Sequence, residues 1–62
     1  MGYKIKEIRE AANMTQEELS EVSGVSRGTI SALENGTERT TTTKTLLKIA
    51  NALGTSVDRI FS

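Results

Sequence analysis

Apolar side chains recur along the chain at spacings of three and four residues, with polar and charged residues between them. This period predicts amphipathic helices that turn one apolar face toward a common core. The residues expected to face inward are Ile5, Ile8, Ala12, Leu19, Val22, Val25, Ile30, Leu33, Leu46, Ile49, Ala50, Leu53, Val57 and Ile60. Phe61 points in a different direction from Val57 and Ile60 and is expected to be exposed. The pattern therefore predicts an all-α fold.

Capping residues and glycines divide this pattern into five helices, of which the first is expected over residues 3–12. The residues expected to cap the later helices are Thr15 with Glu18, Ser26, Thr41 or Thr42, and Ser56. The residues expected to end the second, third and fourth helices are Gly24, Gly36 and Gly54. Residues 37–42 are expected to form a polar loop.

Composition narrows the possible functions. The 62 residues include no cysteine and no histidine, and 35% of them are hydrophobic. Thiol and imidazole catalysis, disulfides and the usual zinc sites are thereby excluded. We expect no enzyme activity, no metal, no cofactor and no small-molecule ligand. No apolar run is long enough to span a membrane and no signal peptide is visible, so we expect a single domain over residues 1–62 in the cytoplasm.

The segment 15–36 has the spacing of two helices that cross over a tight turn. Ser20 is small at the point where the second helix would pass, and Gly24 can adopt the positive φ that such a turn needs. A pair of this kind can place the exposed start of its second helix in a DNA major groove. The alternative is a corner between two helices of a bundle that binds nothing.

The chain resembles the phage-repressor and Cro-like, or Xre-type, helix-turn-helix family over residues 5–61. The segments that carry the resemblance are Thr15-Gln16-Glu17-Glu18-Leu19, Ser23-Gly24-Val25-Ser26, Thr29-Ile30-Ser31, Leu33-Glu34-Asn35-Gly36, Leu46-Leu47-Lys48-Ile49-Ala50 and Ala52-Leu53-Gly54. The resemblance implies a five-helix, lambda-repressor-like fold in which the second and third helices form the helix-turn-helix. It also implies a transcriptional repressor that binds double-stranded DNA at a two-fold related operator as a homodimer. The short last helix can offer only a small interface, so we expect this dimer to be weak.

The residues expected to contact DNA are Gln16, Ser26, Arg27, Gly28, Ser31, Ala32, Asn35, Thr37, Arg39 and Lys44. By the resemblance, Gln16 contacts phosphate or braces a base-reading side chain, and Asn35 to Thr37 contact phosphate. The chemistry of Arg27 agrees, since it can donate two hydrogen bonds to guanine. Gly28 can read no base but can allow close approach, while Ala32 can only make apolar contact, for example with a thymine methyl group.

The charge pattern limits the affinity to be expected. Eight Lys and Arg balance eight Asp and Glu, which gives no general attraction to nucleic acid. Residues 15–36 carry four Glu against Arg27 alone, a local charge of −3. We expect Glu17, Glu18 and Glu21 to lie on a solvent face away from DNA, with Arg39 and Lys44 as the charged phosphate contacts.

A further expectation concerns the contact between the first and third helices. In relatives, an arginine at the position of Arg9 pairs with the glutamate that matches Glu34, which predicts a link between the first and third helices.

The competing function is a protein-interaction module, such as an antitoxin or an adaptor. Neutral charge and the small residues Gly28 and Ala32 favour that alternative.

Overall fold

A computed structural model describes residues 3–36 and 41–61, which form five helices joined by short connections. The helices are α1 (Ile5–Ala11), α2 (Gln16–Ser23), α3 (Arg27–Asn35), α4 (Thr43–Leu53) and α5 (Val57–Phe61). The predicted all-α fold is confirmed, and the helices occur in the expected order. The first helix is shorter than expected at both ends, since Tyr3 and Lys4 lie before it and Ala12 lies after it.

Side-chain caps begin three of these helices. Thr15 Oγ1 accepts from the Glu18 N–H at 3.0 Å, and the Glu18 carboxylate accepts from the Thr15 N–H at 2.9 Å. Ser26 and Thr42 each accept from the N–H three residues later, at 3.2 and 3.1 Å. Each bond satisfies a backbone N–H that the helix itself leaves unpaired. Thr42, rather than Thr41, therefore caps α4.

Aliphatic side chains from every helix form the core. The buried members are Ile5, Leu19, Val25, Ile30, Leu33, Leu46, Ile49, Ala50 and Ile60. Partly buried residues packed against them are Tyr3, Ile8, Met14, Ala52, Leu53 and Val57. The Lys4 N–H donates to the Ile60 carbonyl at 2.8 Å, so the beginning of α1 and the end of α5 meet.

The prediction that the side chain faces inward is wrong for two residues, Val22 and Ala12. Val22 is 61% exposed, whereas Val25 in the following turn is buried as predicted. Ala12 is also exposed, because α1 ends at Ala11 and helical spacing no longer applies beyond it. On α1 the buried position one turn after Ile5 belongs to the charged residue Arg9.

Candidate nucleic-acid interface

The turn between α2 and α3 is held by short hydrogen bonds. Gly24 has a φ of 75°, in the left-handed region that disfavours residues with a Cβ. Its N–H donates to the Ser20 carbonyl at 2.9 Å. The Val25 N–H donates to Ser23 Oγ at 3.1 Å, and the Val25 side chain is buried. These contacts fix the direction in which α3 leaves α2.

The first turn of α3 forms an exposed end of this unit. Ser26, Arg27 and Gly28 are all exposed, whereas Ile30 is fully buried. No acidic residue occupies this first turn. Because the start of a helix carries unpaired N–H groups and partial positive charge, it favours anions such as phosphate. Arg27 adds a full positive charge and a long donor at the same place.

Ser26 is committed to holding this end of the helix together. Its hydroxyl donates to Thr29 Oγ1 at 2.8 Å and accepts from the Thr29 N–H at 3.2 Å. Thr29 acts as the acceptor in the first bond, so its own O–H remains a donor. Thr29 is partly exposed, and it was not among the residues expected from the sequence to contact DNA. The signal that could have found it is the three-residue spacing between a serine cap and a threonine.

The second turn of α3 carries a polar edge. Ser31 and Ala32 are partly exposed, and Asn35 and Gly36 are exposed. Asn35 Nδ2 donates to Ser31 Oγ at 3.3 Å, a long bond that leaves the other amide proton and the amide oxygen available. Ser31 and Asn35 therefore share one edge of the helix.

Glu34 ties three segments together. Arg9 Nε donates to Glu34 Oε2 at 2.8 Å, and Arg9 Nη2 donates to Glu34 Oε1 at 3.2 Å. Gln16 Nε2 also donates to Glu34 Oε1, at 3.0 Å, and Arg9 Nη1 donates to the Met14 carbonyl at 2.7 Å. The expected pair of Arg9 and Glu34 is confirmed, and Gln16 at the start of α2 joins it.

This network is largely closed to solvent. The exposed fraction of the side chain is 10% for Arg9 and 2% for Glu34. The hydrogen bond to Glu34 raises the pKa of Arg9; burial opposes this, while the charges of Glu34 and Glu10 add to it. Arg9 stays protonated, so the negative charge of Glu34 is matched inside the fold.

The other charged side chains of residues 3–36 and 41–61 lie on the surface. Glu17, Glu18 and Glu21 on α2 are exposed, as are Lys44 and Lys48 on α4. Thr37 and Arg39 lie outside the described residues. Within residues 3–36 and 41–61, no group of acidic, histidine or cysteine side chains could hold a metal ion. In the same ranges, no helix is long and apolar enough to cross a membrane.

A capped α2, a tight turn and an exposed start of α3 define the helix-turn-helix class of protein. A family model described as helix-turn-helix matches residues 5–60. The chain belongs to this Xre/Cro-like helix-turn-helix family of DNA-binding transcriptional regulators.

Named relatives agree with this assignment. The chain is 38% identical to the control protein C.SmaI of Serratia marcescens over 62 residues, which are 100% of this chain and 73% of that protein. It is 41% identical over 61 residues to the HTH-type transcriptional regulator MJ0272 of Methanocaldococcus jannaschii, covering 98% and 91% of the two chains. An HTH-type transcriptional regulator of Archaeoglobus fulgidus is 43% identical over 61 residues, with 98% and 84% covered. No solved structure shows significant similarity.

Proposed function

We propose that the chain is a sequence-specific repressor that reads double-stranded DNA with α3 and binds as a homodimer to a two-fold related operator. The observation that carries this proposal is the exposed first turn of α3, with Arg27 beside Gly28 and no acidic residue in that turn. In a helix-turn-helix this end of the second helix enters the major groove, while the first helix crosses the backbone. A dimer seated there would block access to the same DNA by other proteins.

Each proposed contact follows from side-chain chemistry. Arg27 donates two hydrogen bonds to O6 and N7 of one guanine, and Ala32 touches a thymine methyl group. Gln16 has a second amide proton beside the one that Glu34 accepts, and this proton is available to a phosphate oxygen. Lys44 provides a charged phosphate contact. Ser26 keeps one acceptor lone pair on its hydroxyl, which can accept from a base amino group. The other proposed contacts are Gly28, Ser31, Asn35, Thr37 and Arg39.

Selection of bound sequences from a random duplex library tests this proposal. The expected product is an inverted repeat whose half-sites lie about one DNA turn, roughly 34–36 Å, apart. Failure to enrich any sequence at about 50 mM salt, where phosphate contacts are strong, would favour a protein-interaction module such as an antitoxin or adaptor. The exposed Val22 and the zero net charge suit that second function.

The salt dependence of binding should be shallow. Arg39 and Lys44 are the proposed ionic contacts, two per domain and four per dimer. Each neutralised phosphate contributes a slope of about −0.9 to a plot of log affinity against log salt concentration. Four such contacts should therefore give a slope of about −4. Titration of the selected operator between low and physiological salt measures this slope. A slope steeper than about −8 would reveal a basic surface beyond these residues.

The proposed dimer contact is at the end of α5. Ile60 is fully buried and Val57 is packed against the core, whereas Phe61 is 49% exposed. The Phe61 ring packs against Tyr3 with 5.3 Å between ring centroids and an angle of 52° between the ring planes. A two-fold contact of two such ring pairs would be small, below about 1,200 Å² in total, and therefore weak without DNA.

Phe61→Ser is expected to abolish cooperative binding to the operator while half-site affinity and the helical circular dichroism signal stay nearly unchanged. The exposed half of the ring is available to a small interface, while loss of the buried half and its contact with Tyr3 should lower the melting temperature without unfolding the domain. Binding curves on a full operator and on a half-site give the comparison. Val22→Ser, which removes an exposed apolar side chain from α2, is the control and should keep cooperativity. Unfolding of the Phe61 variant would place the interface elsewhere.

A further inference from the structure

Gly28 has no structural reason to be glycine in the free protein. It lies in the first turn of α3, is exposed, and has no positive φ. A Cβ built on it would meet no atom within 4 Å. The other described glycines, Gly24, Gly36 and Gly54, have φ values of 75°, 75° and 68° and end helices. Glycine in a helix interior weakens helix formation roughly fivefold relative to alanine, and in the first turn it acts in the same direction by a smaller factor, so Gly28 lowers stability without a visible return in the fold.

The residue beside it also opposes the stability of α3. Arg27 is a cation at the positive end of the helix dipole, where an acidic side chain would be favoured. α1, α2 and α5 carry acidic residues in their first turns, whereas α3 and α4 carry none. Two neighbouring exposed residues thus weaken the helix at the same place. Positions that break local rules without a gain in packing are expected at functional sites.

We propose that Gly28 is a positioning residue for DNA recognition: its missing side chain lets the first turn of α3 approach the base edges closely enough for Arg27 to form short hydrogen bonds. This inference rests on the proposed DNA-reading function. A side chain at position 28 would hold the helix away from the duplex by about the length of a carbon–carbon bond, roughly 1.5 Å. Hydrogen bonds of the ordinary length, near 2.9 Å, cannot survive such a displacement without rearrangement. Gly28 therefore contributes to specificity through Arg27 and contacts no base itself.

Gly28→Ala tests this inference because it should change stability and operator affinity in opposite directions. The melting temperature should rise, by at most about 4–8 °C, as alanine favours the helix. Affinity for the operator selected by the wild-type chain should fall about tenfold, while affinity for random duplex should stay within about twofold. Gly28→Leu keeps a high helix propensity with a larger side chain and should lose at least as much operator affinity.

Two further variants separate positioning from a general effect of stability. Asn51→Ala, an exposed change in α4 well beyond Lys44, should raise the melting temperature and leave both affinities unchanged. In an Arg27→Ala background, Gly28→Ala should cause little additional loss of operator affinity, because Gly28 acts through Arg27.

Several results would overturn the inference. Operator affinity equal to that of the wild type in Gly28→Ala would show that glycine is merely tolerated. A melting temperature that falls instead would assign Gly28 a structural role in the free chain. If the losses of operator affinity in Gly28→Ala and Arg27→Ala add fully in the double variant, Gly28 does not act through Arg27. If the wild-type chain itself enriches no operator, the proposed function fails first, and this inference fails with it.

Discussion

Glu34→Ala is expected to lower the melting temperature by about 12–24 °C, corresponding to roughly 3 kcal/mol at 4–8 °C per kcal/mol. The substitution removes both bonds from Arg9 and the bond from Gln16. Arg9 would keep only its bond to the Met14 carbonyl, with its charge largely buried and unmatched. A domain of this size has a total stability of only about 3–9 kcal/mol, so this loss is a large share of it.

Thermal unfolding followed by circular dichroism measures this effect, and the glutamates of α2 provide the control. Glu17 and Glu21 are exposed, so their replacement by alanine should change stability by no more than about 0.5 kcal/mol. Replacing Arg9 with methionine in the Glu34→Ala background should recover part of the loss, because it removes the unmatched charge. Equal shifts for Glu34→Ala, Glu17→Ala and Glu21→Ala would show that the pair contributes nothing.

Arg27→Ala is expected to weaken binding to the selected operator by about 5–150-fold, which corresponds to 1–3 kcal/mol, and to relax the preference at one base pair. Arg27 is exposed at the start of α3, so the fold should not depend on it. Removing a cation from the positive end of the helix should leave the melting temperature unchanged or slightly higher. Binding to the operator, to single-base variants of it and to random duplex gives the required measurements.

Arg27→Lys is the matched control for charge. Lysine keeps the positive charge but lacks the planar fork that can donate two parallel bonds to one guanine. It should therefore keep most of the affinity for random DNA and lose affinity for the operator. Equal losses on operator and random DNA in Arg27→Ala would instead show that Arg27 only neutralises phosphate.

Local signals in the sequence were sufficient to place the helices. The capping box of Thr15 and Glu18 and the cap at Ser26 involve residues three apart, and such contacts are set by the chain itself. Gly24 ends α2 because a positive φ is needed at one defined point. The period of the apolar residues then gave nearly the whole core.

Contacts between distant residues could not be read from periodicity. Val22 has the correct spacing for an inward position, but α2 ends one residue later at Ser23 and the Val22 side chain is exposed. The pair of Arg9 and Glu34 was expected only through resemblance to a family, since the two residues are 25 positions apart. The bond from Gln16 to the same carboxylate depends on the way α2 and α3 pack together, which no local pattern encodes.

The contact between Lys4 and Ile60 joins α1 to α5, so it can form only after most of the domain has been synthesised. A nascent chain leaves the ribosome from its N-terminus, so α1 emerges well before α5. Ile5 and Ile60 are both fully buried in one core, and the Lys4 N–H needs the Ile60 carbonyl as its acceptor. The part of the core around Ile5 cannot be completed until Ile60 has emerged, although α3 and α4 can pack against α1 earlier. The domain is then expected to fold in a single late step, with no half of it acquiring a finished core while the rest is still being made.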